Sequence, residues 1–350
     1  MTATAPVAPV AADASRATGA GDRRARLLAA LAMLLVMVVL SIALGAKPIA
    51  LQEVWNALVH FDPSVTDQVI VRGQRLPRTA LAIVVGAGLG VAGALMQGLT
   101  RNPLADPGLL GVSAGASFAM TLAVAFLPIT TLLGYIWFAF LGAVLATVAV
   151  YRLGTAGRRA ANPLTLTLAG VSLGAVLQGL TVTLTLLYSS VFVSIRVWES
   201  GSLAERGWDV VVPITIFVMA GLLLAAGAAR GLNAVALGDD LATALGADRR
   251  RTRILVVLAV TLLCGAATAA MGPAWFVGLM VPHLARWFAG VDQRWIIAFC
   301  AVLGPVLVLA SDVLGRVLVR PDELQAGLVT AFVGGPVLIW LIRRSKVRSL

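Results

Sequence analysis

Residues 27–46 read LLAALAMLLVMVVLSIALGA and residues 210–229 read VVVPITIFVMAGLLLAAGAA, two long runs without a single charge. At about 1.5 Å per residue, each run reaches about 30 Å as a helix, the thickness of the hydrocarbon layer of a bilayer. Only the helix and the closed barrel satisfy every backbone N–H and C=O in lipid. Barrel strands alternate apolar and polar residues over about 10 positions, and neither run alternates. Both are therefore helices, and the chain is an all-α membrane protein.

The rest of the composition agrees. The chain has 350 residues, of which 59% are hydrophobic and 12% charged, and its mean hydropathy is +0.94. Soluble domains carry about 25% charged residues and must cover their outside with polar groups whatever their size. Here lipid is the solvent. Further apolar runs at about 75–98, 109–127, 132–152, 164–188, 253–271, 275–288, 295–315 and 326–342 bring the expected spans to ten, the eighth being short and carrying Pro282. Residues 1–22, rich in Ala, Thr and Pro, read as a disordered cytoplasmic tail, and residues 23–350 as one transmembrane domain. The first run is too long for the apolar core of a signal peptide, about 7–15 residues, so it reads as an uncleaved helix.

The formal charge of +11 is explained by topology. Arg23, Arg24 and Arg26 precede the first span, and Arg343, Arg344, Lys346 and Arg348 follow the last. An even number of spans puts both termini on one side, and the positive-inside bias makes that side the cytoplasm. Nucleic acid is not needed to account for the basic residues. Cys264 and Cys300 fall inside apolar runs and read as small core residues, and His60 and His283 have no ligand cluster, so no metal centre is expected.

Gly86, Gly88, Gly90, Gly93 and Gly98 along the second span point to close helix packing, since small residues let backbones approach where lipid provides no hydrophobic drive. Asn102-Pro103-Leu104 and Asn162-Pro163-Leu164 share a local pattern, Asn at a helix cap with Pro at the first helical position. Both are expected on the cytoplasmic side, where simple capping accounts for the pattern. No phosphate loop, zinc-protease motif or nucleophile elbow is present. Intramembrane charge is scarce. Asp312 is the main exception, and Arg316 at i+4 makes a structural ion pair a better account of it than a proton relay. An ion-coupled secondary transporter would need such carboxylates around a cavity, and an intramembrane enzyme would need a partner for His283. The energy source is expected to lie outside the chain.

The loop at about 231–252 alternates small apolar and acidic residues over two short helical stretches separated by Gly238. It is too polar to span, and the Asp239–Asp240 pair favours docking to a partner over lying on lipid. This loop is one of five blocks with which the chain resembles the FecCD/BtuC-type permeases, the membrane subunits of ABC importers for iron-siderophores, haem and cobalamin. The others are RLPR at 75–78, GALMQGLTRNPLADPGLLGV at 93–112, FVGLMVPHLAR at 276–286 and PDEL at 321–324 leading into GLVT at 327–330; the loop block is ALGDDLATALG at 236–246.

The resemblance implies a ten-helix, BtuC-like subunit of a type II importer that pairs with a second permease, identical or paralogous, around a central path. Two ABC ATPase subunits would sit below, using ATP and Mg²⁺, and an extracytoplasmic substrate-binding protein above. The chain itself would bind no cofactor and catalyse nothing. It implies that Ala236, Leu237, Gly238, Asp239, Asp240, Leu241, Ala244, Leu245 and Gly246 couple to the ATPase. Arg75, Arg78 and Arg316 would face acidic residues of the binding protein, and Asn102, Leu104, Asn162 and Leu164 would form the cytoplasmic gate. The implied setting is the bacterial cytoplasmic membrane. The implied cargo is a ferric siderophore, with cobalamin or haem as the alternative.

Overall fold

A computed structural model describes residues 20–127, 129, 131–155, 163–188, 192, 195–196, 198–238, 241, 244, 246 and 248–344. Most of the expected tail, the Asn162 turn, Asp239, Asp240 and Leu245 lie outside the described residues. All regular structure among those described is helical. The runs expected as spans fall on the helices α1 (Ala20–Ala43), α4 (Leu76–Thr100), α5 (Val112–Phe126), α6 (Leu132–Thr155), α7 (Pro163–Leu187), α8 (Trp208–Ala236), α9 (Arg249–Met271), α10 (Val277–Ala289), α11 (Gln293–Leu318) and α12 (Ala326–Arg344). Among the described residues, seven helices are long and apolar enough to cross a membrane. The other expected spans are the shorter apolar stretches Val112–Phe126 and Ala326–Ile339 and the 13-residue α10.

Two short helices, α2 (Leu51–Val59) and α3 (Thr66–Ile70), precede α4. Val54 and Ala57 of α2 bury against Ile49 and Val71, while Leu51 and Trp55 stay exposed, the pattern of a helix lying in the interface. A π turn over Val71–Arg75 joins α3 to α4 without a break. Its cause is Pro77, which cannot donate to the carbonyl four residues back and would clash with it. Widening one turn re-registers the ladder. The helix therefore starts nine residues before the apolar run does.

At the start of the first span, Asp22 pairs with Arg26 at 2.6 Å and helix begins at Ala20, so the last residues of the expected tail are ordered. Likewise, α8 runs on to Ala236, and the loop expected from about 231 begins at Leu237. The reason is burial: Leu232 and Val235 continue the buried stripe of α8, and Gly231 lies against Thr252 of α9.

Helix α4 is the hub. It is almost wholly buried from Leu81 to Leu99 and packs against α11, α9, α8 and α10. A Cβ added to Gly86 would stand 2.6 Å from the Pro305 backbone of α11, and one added to Gly93 would meet the Gly278 carbonyl of α10. Gly86, Gly88, Gly90 and Gly93 are contact points between backbones, which is the packing role expected for them, while Gly98 faces the Gln293 side chain. Gly86→Val is expected to cost about 1–3 kcal/mol by overpacking, whereas Gly335→Ala, with nothing within 4 Å, should leave the thermal unfolding midpoint unchanged or slightly raised. Melts of the two variants in detergent would check both. Cys264 and Cys300 are buried thiols of the core.

Candidate functional site

At the end of the bundle where α1 stops, α4 starts and α11 stops, three arginines converge. Helix α1 leaves carbonyls without intrahelical partners at its C-terminus. Arg75 donates to the carbonyls of Ile42 (2.8 Å), Ala43 (2.7 Å) and Lys47 (2.6 Å). Arg316 donates to those of Ser41 (3.0 Å) and Leu44 (2.9 Å) and to the Ser41 hydroxyl (2.9 Å), which in turn meets Thr79 Oγ1 at 2.8 Å. Two cations at a helix C-terminus also suit its dipole. Arg316 pairs with Asp312 at 2.9 Å, the i+4 ion pair expected from the sequence. Asp312 further accepts from Arg78 Nη2 (2.8 Å) and Nε (3.0 Å), and Arg78 Nη1 reaches Glu323 at 2.6 Å.

This geometry differs from the expectation that all three arginines face a partner. Arg75 is 5% exposed and Arg316 2% exposed, and both are committed to the chain itself. Only Arg78, together with the half-buried Glu323, reaches the surface. The sequence places these arginines at helix ends but cannot show that their partners lie up to 275 positions away.

Beside this network, residues 198–206 close the end of α9. Trp198 Nε1 donates to the Ala269 carbonyl (3.2 Å) and Arg206 Nε to that of Ala270 (2.9 Å). Gly327 N–H donates to Gly201 O at 2.9 Å, tying α12 to the same segment. These anchors carry no sequence pattern that would reveal them, since the groups they serve are main-chain carbonyls.

At the opposite end, Asn233 sits one turn before the close of α8. Its Nδ2 donates to Asp292 (2.8 Å) and its Oδ1 accepts from the Gln293 N–H (2.8 Å), while Asp292 caps α11 by accepting from the Arg294 N–H (3.0 Å). Burial raises the Asp292 carboxyl, but these hydrogen bonds and the Arg294 and Arg23 charges outweigh it and hold it below the ordinary carboxylate range. The clasp fixes the exit of α8 to the start of α11, directly upstream of the expected coupling segment. In that segment Leu237 and Leu241 are 59% and 57% exposed, and Gly238 and Gly246 turn the chain at φ +107° and +71°. Ala236 closes α8, and Ala244 is exposed.

Of the expected gate, Asn102 accepts from the Leu104 N–H at 3.0 Å and Leu104 is 49% exposed. Asn102 does not cap a helix. The cap is Asp106, which accepts from the Gly108 N–H (2.7 Å) ahead of a 3-10 turn over Pro107–Leu110, because an Asx turn already occupies the Asn102 side-chain carbonyl. Pro163 does open α7, and Leu164 lies in its first turn.

Helix α7 has the apolarity of a span but little cover: Ser172, Gln178 and Thr183 are exposed along it. Beside it opens a cavity of about 510 Å³ lined in part by Gln178, Thr181, Thr185, Arg196, Glu199 and Ser200. Among the described residues no group of three or more His, Cys, Asp or Glu is placed to hold a metal ion.

A model of the FecCD transport family matches residues 33–344. The ferric enterobactin transport system permease protein FepD of Escherichia coli (strain K12) is 46% identical over 318 residues, covering 90% of this chain and 93% of that protein. The iron(3+)-hydroxamate import system permease protein FhuB of Bacillus subtilis (strain 168) is 39% identical, covering 91% of this chain and 83% of its own. Among solved structures, a chain of a metal-chelate type ABC transporter in an inward-facing conformation superposes with a TM-score of 0.79 at 26% identity, over 92% of this chain and 99% of that one. With the family model spanning nearly the whole helical bundle, the chain belongs to the FecCD transport family.

Proposed function

We propose that this chain is one half of the passage of an ATP-driven importer that carries ferric siderophores across the bacterial cytoplasmic membrane, with both termini inside. The observation that carries this reading is the open flank of α7. A helix facing lipid has no use for Ser172 and Gln178 on its exposed side or for a cavity of about 510 Å³ beside it whose largely apolar wall also carries Gln178, Arg196 and Glu199. A second permease, identical or paralogous, completes the path there. Asn102, Leu104 and the Asn162–Leu164 turn close it on the cytoplasmic side.

The energy enters from two ATPase subunits that hydrolyse ATP with Mg²⁺ and take the exposed Leu237 and Leu241, with Asp239, Asp240, Leu245 and the turns at Gly238 and Gly246, into a docking groove. The substrate-binding protein docks at the arginine end. There Arg75 and Arg316 hold the shape of the surface, and Arg78 with Glu323 reaches it. Hydrolysis biases two packings of the helices, and no bond is made or broken in this chain. A proton- or sodium-driven carrier fits less well, because Asp312, fixed by two guanidiniums, is a poor proton relay. Cobalamin and haem are the competing cargoes; a ferric chelate is favoured by the cargo named for the ferric enterobactin and iron-hydroxamate relatives.

Proteoliposomes holding the permease pair, the ATPase and the loaded binding protein test this. ATP-dependent uptake of iron is expected from ferric catecholate or hydroxamate chelates. Uptake of haem or cobalamin alone overturns the cargo, and uptake driven by an ion gradient without ATP overturns the class.

A further inference from the structure

The ends of α8 and α11 that carry the Asn233–Asp292 clasp also flank an open cavity of about 410 Å³, lined by Ala226, Ala229 and Arg230 from α8 and by Arg294, Ile297 and Ala298 from α11. Its floor is small and apolar, and its rim holds two cations. Both arginines are exposed, and neither guanidinium has a hydrogen bond or an ion pair within 4 Å among the described residues, although the Asp292 charge acts on Arg294 from further off. The neighbouring Asp292 carboxylate is taken up by Asn233 and by the Arg294 N–H. Both helices are long and apolar enough to cross a membrane. Arg294 is the second residue of α11 and Arg230 stands near the close of α8, so both lie at the level where headgroups meet acyl chains.

We propose that this cavity binds an anionic phospholipid. Its phosphate is held between Arg230 and Arg294, and the upper part of one acyl chain lies on Ala226, Ala229, Ile297 and Ala298. Each half of the cavity matches one half of that ligand. A phosphodiester accepts two parallel N–H bonds from a guanidinium, and small side chains leave an acyl chain room between two helices. Basic pockets between spans on the cytoplasmic side are where anionic headgroups are retained. Snorkelling explains a single arginine at a helix end; it does not explain two from different helices meeting over an apolar cavity. A free inorganic anion would satisfy the rim and leave the floor without a partner. The inference is independent of the cargo and of the energy source.

The test uses the assembled transporter in nanodiscs of mixed phosphatidylglycerol and phosphatidylcholine, with the lipids retained on gentle release counted by native mass spectrometry. One phosphatidylglycerol per permease copy is expected above the phosphatidylcholine background. Arg230→Gln and Arg294→Gln should each lower the preference about 5-fold and the pair about 30-fold. Arg343→Gln, which removes a cytoplasmic-end arginine outside the cavity, should leave it unchanged. An unchanged preference in the double variant, or an equal loss in Arg343→Gln, overturns the site, since the attraction would then be a property of the whole basic face. Inorganic phosphate at millimolar concentration should not displace the lipid; displacement would make the site one for small anions and overturn the proposal as well.

Discussion

Replacing Asp312 with alanine is expected to remove about 3–5 kcal/mol of stability, the cost of breaking a buried ion pair from one side. The carboxylate is fully buried and receives Arg78 and Arg316 together. Without it, Arg316, 2% exposed, keeps its bonds to the carbonyls of Ser41 and Leu44 but loses its counter-charge, and Arg78 keeps only Glu323. The loss falls on the end of α1, whose last carbonyls depend on Arg316 staying in place. Glu323→Gln is the contrasting change. Its carboxylate is 32% exposed and its loss leaves Arg78 on Asp312, so it should stay within about 1 kcal/mol of the parent chain. Thermal unfolding in detergent distinguishes the two. If both variants melt together, water screens the network and Asp312 is no buried counter-charge. Limited proteolysis after α1 supplies a local readout, because cleavage near Lys47 should quicken in Asp312→Ala and not in Glu323→Gln.

The same end of the molecule shows what a sequence can and cannot disclose. The spans are legible because lipid demands an unbroken apolar run, and α7 begins within a residue of where the run does. The helical extension from Thr66 that runs into α4 is not, because the π turn that admits Pro77 carries polar Arg72, Gln74 and Arg75 through helical backbone. Arg75, Arg78 and Arg316 are recognisable as a set at helix ends. Which way each side chain turns depends on carbonyls and carboxylates far along the chain, and no local pattern encodes that. The i+4 spacing of Asp312 and Arg316 is the exception, and it is the one ion pair of the network the sequence reveals. At the other end, Asn233 and Asp292 are 59 positions apart, and each alone reads as an unremarkable polar residue beside a helix end. The Asn102 turn shows the opposite error, a cap signal that is genuine at Asp106–Pro107, four residues further on.

Charge reversal at Asp239 and Asp240 to lysine is expected to abolish transport-coupled ATP hydrolysis while leaving the permease folded. Solvated carboxylates contribute little to folding, but lysines facing a groove that receives carboxylates would set like charges together, which costs several kcal/mol in docking. What links that segment to the rest of the chain is the clasp one turn upstream, and it provides a graded version of the same experiment. Asn233→Asp sets two carboxylates in contact where an amide now donates at 2.8 Å, and it should lower uptake per ATP hydrolysed about tenfold, equivalent to about 1.4 kcal/mol. Asp292→Asn should be milder, since an amide there still caps α11 and can donate to Asn233. The exchange Asn233→Asp with Asp292→Asn restores every bond: the new carboxylate accepts from the Gln293 N–H and from the new amide, whose oxygen caps the Arg294 N–H. Recovery of coupling in the exchange variant, with the ATPase bound equally in all three, is the expected result. If the exchange stays as poor as Asn233→Asp, the clasp does not position the coupling segment. If all variants match the parent, motion reaches the bundle by another route.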